Sequence, residues 1–280
     1  MQGKAKKITA SVLLKLLIAV IVIVDVYPIV WMFLCALKQP TEFVTKPSYA
    51  LPDGLYLQNF VDAWTRGNMG TFFLNSLFYT VVALVFIVTF SMTIGFAVTK
   101  MEWKMKKFFQ SFFLMGLMVP VATALLPLFQ IYNKLGLTNT RICLILTYIA
   151  FGLSLSVFLV TGYMRSLPDE LLEASVIDGC GIFSMMWHIV VPLMKNAAVT
   201  VLVLQFFYKW NDLLFSMTFV SDKNLKTIQT GLLYFQDQFG SKNWGAIFAS
   251  VTISVVPMLL IYSVLNKKVI EGMVAGAVKG

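Results

Sequence analysis

Leu167-Pro168-Asp169-Glu170-Leu171-Leu172-Glu173-Ala174-Ser175-Val176-Ile177-Asp178-Gly179-Cys180-Gly181, running on to Ile189-Val190-Val191-Pro192, is neither a bilayer-length apolar run nor an ordinary loop. Pro168 suits a first helical turn, where its missing N–H is not needed, and Asp169 and Glu170 then sit where the helix dipole favours anions. Leu171, Leu172, Ser175 and Val176 form one small or apolar face, while Glu170, Glu173 and Ile177 project from the other. Gly179 and Gly181 are expected to end this helix, because glycine reaches positive φ and lets another backbone approach. A second helical stretch, Ile182 to Val191, can run up to Pro192, which forces a kink or a fresh helix start just before the next apolar run. The expected product is a helix, a glycine turn and a helix lying beside a membrane.

The membrane is implied by everything around this insert. The chain has 280 residues, 59% of them hydrophobic and 12% charged, with mean hydropathy +0.81, against roughly 25% charged residues in a soluble domain. Six apolar runs reach the length of about 20 residues needed to cross hydrocarbon. They lie within Val12 to Leu37, Phe73 to Thr99, Phe108 to Tyr132, Ile142 to Tyr163, Ala197 to Val220 and Ala246 to Leu265. The expected fold is therefore all-α: one polytopic domain over residues 1–280 with six transmembrane helices, a coupling segment at 165–195 and a tail at 267–280. Lys4, Lys6 and Lys7 precede the first run as in a signal peptide. The apolar stretch is too long and lacks a small-x-small cleavage site, so it reads as a retained span.

Basic residues in short flanks orient the chain. Lys15 joins the three N-terminal lysines, Lys100, Lys104, Lys106 and Lys107 crowd the connection between runs two and three, and Lys267 and Lys268 follow run six. Six spans put all of these, both termini and the 165–195 segment on the cytoplasmic side. The net charge of +9 is thus topological and suits anionic lipid headgroups, and no basic run interleaved with aromatics points to nucleic acid. Cys35, Cys143 and Cys180 form no CxxC pair, and His188 is the single histidine, so no metal site is expected. No nucleophile triad or phosphate-binding glycine loop appears, which leaves the chain without a catalytic assignment.

Polar residues inside spans are costly and mark candidate functional positions. Asp25 lies three residues before Pro28, and Gln205 and Lys209 precede Asn211 and Asp212 in run five. Lys209 and Asp212, three apart on one helix face, could neutralise each other or line a substrate path. Pro120 and Pro127 interrupt run three, which is tolerated only beside protein or a water-filled cavity. Asn75, Pro120, Gln205, Asn211 and Asp212 are the candidate path residues. On the external side, Lys38 to Gly70 reads as an irregular loop with a short helix. The Ser221 to Gly245 stretch carries Tyr234, Gln236, Gln238 and Phe239, a composition suited to sugar or to a protein surface.

The pattern Glu173-Ala174-Ser175-x-x-Asp178-Gly179-x-Gly181, followed eleven residues later by Pro192, resembles the EAA motif of ABC-importer permeases, in the version typical of the sugar-importing class. Ser175 and Cys180 replace the usual alanines, small for small. Asn75-Ser76 resembles a pair common at the mouth of span two in sugar permeases. The ending Gly276-Ala277-Val278-Lys279-Gly280 is similar to the tail of permeases like the maltose-system inner subunit. With Trp210-Asn211-Asp212, the resemblance covers nearly the whole chain.

That resemblance implies a type I ABC-importer fold and a heterodimer with a second, related permease. It also implies two cytoplasmic ATPase subunits, an extracellular or periplasmic solute-binding protein and a sugar substrate. ATP and Mg would belong to the ATPase, with no cofactor on this chain. The helix from Pro168 to Asp178 would sit in a cleft of the ATPase, with Glu173 offering a carboxylate to a basic residue. The tail would enter the ATPase dimer interface, and the Tyr234 to Phe239 loop would reach toward the binding protein. Three alternatives stand beside this reading. An ion-driven secondary transporter would need paired midplane charges in inverted repeats, a scaffold would need no broken helices, and glycerol phosphate or another polar solute could replace the sugar.

Overall fold

The computed structural model describes residues 2–239 and 243–277, with side chains outside 2–10, 234–239 and 266–277. The described residues form helices and connecting turns, with no strand among them. In order these are α1 (Gln2–Ala36), α2 (Glu42–Thr45), α3 (Gln58–Thr65), α4 (Met69–Lys100), α5 (Lys106–Met115), α6 (Val121–Lys134), α7 (Arg141–Met164) and α8 (Asp169–Ile177). There follow α9 (Ile182–Met185), α10 (Val191–Leu193), α11 (Lys195–Trp210), α12 (Leu214–Phe219), α13 (Ile228–Phe239) and α14 (Trp244–Ala277). Four helices contain single apolar spans: Ser11–Ala36, Met69–Lys100, Arg141–Met164 and Trp244–Leu265. Two bent pairs raise the number to six when each counts as one span.

The bends have local causes. The third expected run is not one helix: Lys106–Met118 and Val121–Lys134 meet at 104°. Val119 and Pro120 are extended, at ψ 111° and 131°, because the proline ring pushes its predecessor out of the helical region. Just before the fifth run the expected bend is present, and within the run the helix is broken once. Ile182–Leu193 and Lys195–Trp210 are bent by 74°, with Met194 at φ −88°, ψ 13° between them. Pro192 itself stays helical inside α10. A π-helical turn over Met186–Val190 precedes it, which accommodates the missing N–H and the ring, so the kink falls two residues later than the proline. Downstream, helix stops at Trp210 and resumes only at Leu214.

Two compact units arise. One comprises Met1–Met69 with Leu232–Val255, the other Gly70–Gly231 with Val256–Gly280. In the first, Asn59 donates from Nδ2 to the carbonyls of Ala36 and Lys38, both at 2.8 Å. That fastens α3 to the end of α1. Trp31 packs edge-on against Phe248 with ring centroids 5.2 Å apart.

In the second unit, Tyr79, Ile87, Leu144, Tyr148, Val160, Met164, Val190, Val201, Phe215 and Phe219 form a buried core. A methyl group at Gly152 of α7 would drive into the Ile87 side chain, so α4 and α7 approach closely through a small residue, as helices in lipid commonly do. Asn75 donates to the carbonyls of Asn224 (2.7 Å) and Lys226 (3.1 Å). Tyr79 adds a bond to Leu225 O at 3.0 Å, and Ser76 Oγ accepts the Ile228 N–H at 2.7 Å. The segment leading into α13 is therefore sewn to the first turns of α4.

Candidate functional site

The break after α11 builds one of two candidate sites. Asp212, freed from helix, turns its carboxylate onto the exposed N–H groups of Phe215 (3.2 Å) and Ser216 (3.0 Å), where the dipole of α12 favours an anion. Tyr148 of α7 donates its hydroxyl to Asp212 Oδ2 at 2.8 Å. Lys209, buried at the end of α11, holds Nζ 5.5 Å from the Tyr148 ring centroid, within cation–π range. Lys209 and Asp212 thus do not share a helix face, since the helix has ended between them. Both engage Tyr148, and the two charges still act on each other electrostatically.

These groups line a cavity of about 420 Å³. Its remaining walls are Phe151, Ser154 and Leu155 of α7, Gln205 and Tyr208 of α11, and Val119 and Val121 at the break in span three. Gln205 is fixed by donating to Gly152 O and Ser156 Oγ, both at 3.0 Å. Asn211 donates to Phe207 O at 3.0 Å and accepts from Gln229 at 3.3 Å. The Lys209 ammonium makes no hydrogen bond to any described residue, which leaves its donors available in a wall that also carries Gln205, Asn211 and Asp212.

Of the five path residues expected from sequence, the fold gathers Gln205, Asn211 and Asp212 around the cavity. Pro120 shapes it through the two valines that flank it. Asn75 serves elsewhere, in the clamp on residues 224–226. Tyr148 was not legible in advance, because a tyrosine inside an apolar run carries no local mark of its carboxylate partner.

The second site is the 167–192 insert. α8 spans Asp169–Ile177 and buries Leu172 and Ser175, with Ser175 Oγ bonded to Leu172 O at 2.7 Å. Leu171 and Val176, on the same apolar face, are 45% and 61% exposed. The helix ends in a Schellman turn: Gly179 N–H reaches Val176 O at 3.0 Å and Cys180 N–H reaches Ser175 O at 2.9 Å. Gly179 has φ +80°, whereas Gly181, at φ −69°, needs no glycine for its backbone. Glu173, Ala174 and Asp178 face outward, next to exposed Ile177, Ile182, Phe183 and Trp187. An anchor that the sequence did not disclose holds the start of α8. Lys100 Nζ, at the end of α4, donates to Leu167 O and Asp169 Oδ1, both at 2.6 Å.

Gly276 and Ala277 close α14, so the backbone over Lys267–Ala277 continues the sixth helix instead of fraying. Val278, Lys279 and Gly280 lie outside the described residues, as do the side chains of Tyr234, Gln236, Gln238 and Phe239, whose backbone forms the end of α13.

Residues 87–273 match the family described as "Binding-protein-dependent transport system inner membrane component". The chain belongs to this family. The permease is 34% identical over 254 residues to the probable ABC transporter permease protein YurM of Bacillus subtilis, covering 91% of this chain and 84% of the relative. It is 32% identical to the diacetylchitobiose uptake system permease protein NgcG of Streptomyces coelicolor, with 91% and 84% covered. It is 31% identical to the probable starch degradation products transport system permease protein AmyC of Thermoanaerobacterium thermosulfurigenes, with 86% and 87% covered. The fold matches a chain in the crystal structure of a bacterial ABC transporter involved in the import of the acidic polysaccharide alginate. That match has TM-score 0.82 at 18% identity and covers 92% of this permease and 95% of that chain. The permease is accordingly an all-α, multi-spanning inner-membrane component of a binding-protein-dependent ABC system.

Proposed function

We propose that this permease carries a sugar or oligosaccharide across the cytoplasmic membrane, with the 420 Å³ cavity as part of its path. The observation that carries the reading is Lys209. Its buried ammonium sits against Tyr148 with no hydrogen bond to a described residue, among Gln205, Asn211 and Asp212. A solute rich in hydroxyls supplies the missing acceptors. The names of the relatives agree, since NgcG is an uptake permease for diacetylchitobiose and AmyC one for starch degradation products.

The system would comprise a second related permease, two ATPase subunits that hold ATP and Mg, and an external solute-binding protein. In this reading both termini are cytoplasmic, and the 168–192 segment docks in the ATPase through Glu173, Ala174, Asp178, Gly179, Gly181 and Pro192, with buried Ser175 supporting that face from beneath. Gly276 to Gly280 would contact the ATPase dimer, and Tyr234 to Phe239 the binding protein. ATP can move the helices only through its differential affinity for two arrangements, so α8 must be held rigidly enough to transmit that difference.

The test is Lys209→Gln in the reconstituted importer. Sugar uptake is expected to fall about tenfold or more, the scale of one lost charged hydrogen bond, while binding-protein-stimulated ATP hydrolysis persists. Unchanged uptake would remove Lys209 from the path.

A further inference from the structure

The first compact unit contains a cavity of about 220 Å³ whose lining shares no residue with that of the Tyr148 cavity. Trp31, Phe43, Trp244 and Phe248 wall it, and Lys38, Glu42 and Lys46 supply its charge, a net excess of one cation. Lys38 is only 2% exposed. Its Nζ donates to Ser48 O at 3.1 Å and lies 5.8 Å from the Phe43 ring centroid. Among the described residues it has no carboxylate within 4 Å, so two of its three donors have no partner there.

The neighbouring acids are already committed. Glu42 accepts the N–H groups of Gln39 at 2.9 Å and Asp53 at 3.0 Å and lies 3.9 Å from Lys46, while Lys46 also pairs with Asp53. A buried ammonium without a counter-ion is costly. The fold tolerates one here beside a cavity, which is where a ligand could provide the counter-ion. The aromatic walls are held in place: Trp31 Nε1 donates to Ser48 O at 3.0 Å, and Phe43 stacks on Phe248 at 6.1 Å and 7°. Flat rings beside a cluster of charged groups with a cation in excess suit a ligand with an apolar face and an anionic edge.

We propose that this cavity binds a carboxylate-bearing sugar ring, with the carboxylate at Lys38 and the ring's C–H face against the tryptophans. The site is separate from the Tyr148 cavity, and its failure would leave the transport reading untouched.

The experiment measures the melting temperature of the assembled importer in lipid nanodiscs, titrated with D-glucuronate and, separately, with D-glucose. Glucuronate should raise the melting temperature saturably, and glucose should need about tenfold more or fail, as expected for loss of one charged hydrogen bond. Lys38→Met should abolish the glucuronate response without lowering the melting temperature of the ligand-free importer, because an uncompensated charge has been removed. Trp244→Ala, at a position 42% exposed, should weaken the response while leaving the fold intact. Equal effects of the two sugars, a glucuronate response that survives Lys38→Met, or a Lys38→Met importer less stable without ligand would each overturn the proposal. The last outcome would make Lys38 a structural tie to Ser48.

Discussion

Gly179 shows how much one backbone angle can carry. Its φ of +80° closes the Schellman turn that ends α8, and nothing lies within 4 Å of where a Cβ would point. Any effect of substitution is therefore conformational rather than steric. Gly179→Ala should cost about 1–2 kcal/mol of local strain, enough to shift the turn and the exposed Ile177 beside it. The expected outcome is normal membrane insertion with a lowered ratio of sugar transported to ATP hydrolysed. A ratio equal to wild type in reconstituted vesicles would show that the turn need not be rigid. The glycine was legible because its type and spacing carry its conformation. Tyr148 was not: its phenol finds Asp212 across 64 residues of sequence, and no local pattern encodes such a meeting.

Among the elements, α8 is positioned by α4. Lys100 lies in the last turn of α4, where a cation also complements the helix dipole, and it bridges to both Leu167 O and Asp169. The Lys100 side chain is 6% exposed and that of Asp169 72%. The bond to the buried backbone carbonyl therefore matters more than the solvent-screened ion pair. Lys100→Met should loosen α8 by about 1 kcal/mol, leaving the subunits assembled while uptake falls more than ATP hydrolysis. Asp169→Asn, which retains the carbonyl contact, should have a smaller effect, and equal losses from the two variants would transfer the role to the ion pair. Charge counting alone assigns Lys100 to topology, a reading that does not conflict with its second task. The two bent spans divide similarly. Pro120 announced a break in span three, but at Pro192 the π turn moves the bend to Met194, because helix hydrogen bonding can shift register around a missing N–H.

At the scale of the whole molecule, residues 11–30 of α1 are exposed throughout, Asp25 among them. A carboxylate facing hydrocarbon costs several kcal/mol, so in the proposed assembly a polar group of the second permease is expected beside Asp25. Asp25→Leu should leave the isolated chain in the membrane and reduce co-purification of the second permease; full recovery of the heterodimer would mean that Asp25 contacts water or headgroups instead.

Sequence by itself determined the class of the protein, its apolar runs, the all-α fold and the 167–192 insert. Those depend on run length, helical period and the conformational habits of proline and glycine, all of which are local. Tertiary structure decided which side chains meet. It ended α11 at Trp210, so that Asp212 bonds to Tyr148 as well as acting on the Lys209 charge, and it gave Asn75 to a loop clamp. It tied α8 to α4 through Lys100 and left the Lys38 ammonium beside an aromatic cavity. The physical reason is that a buried polar group must be paired wherever the packing brings a partner, and the packing brings partners from distant parts of the chain.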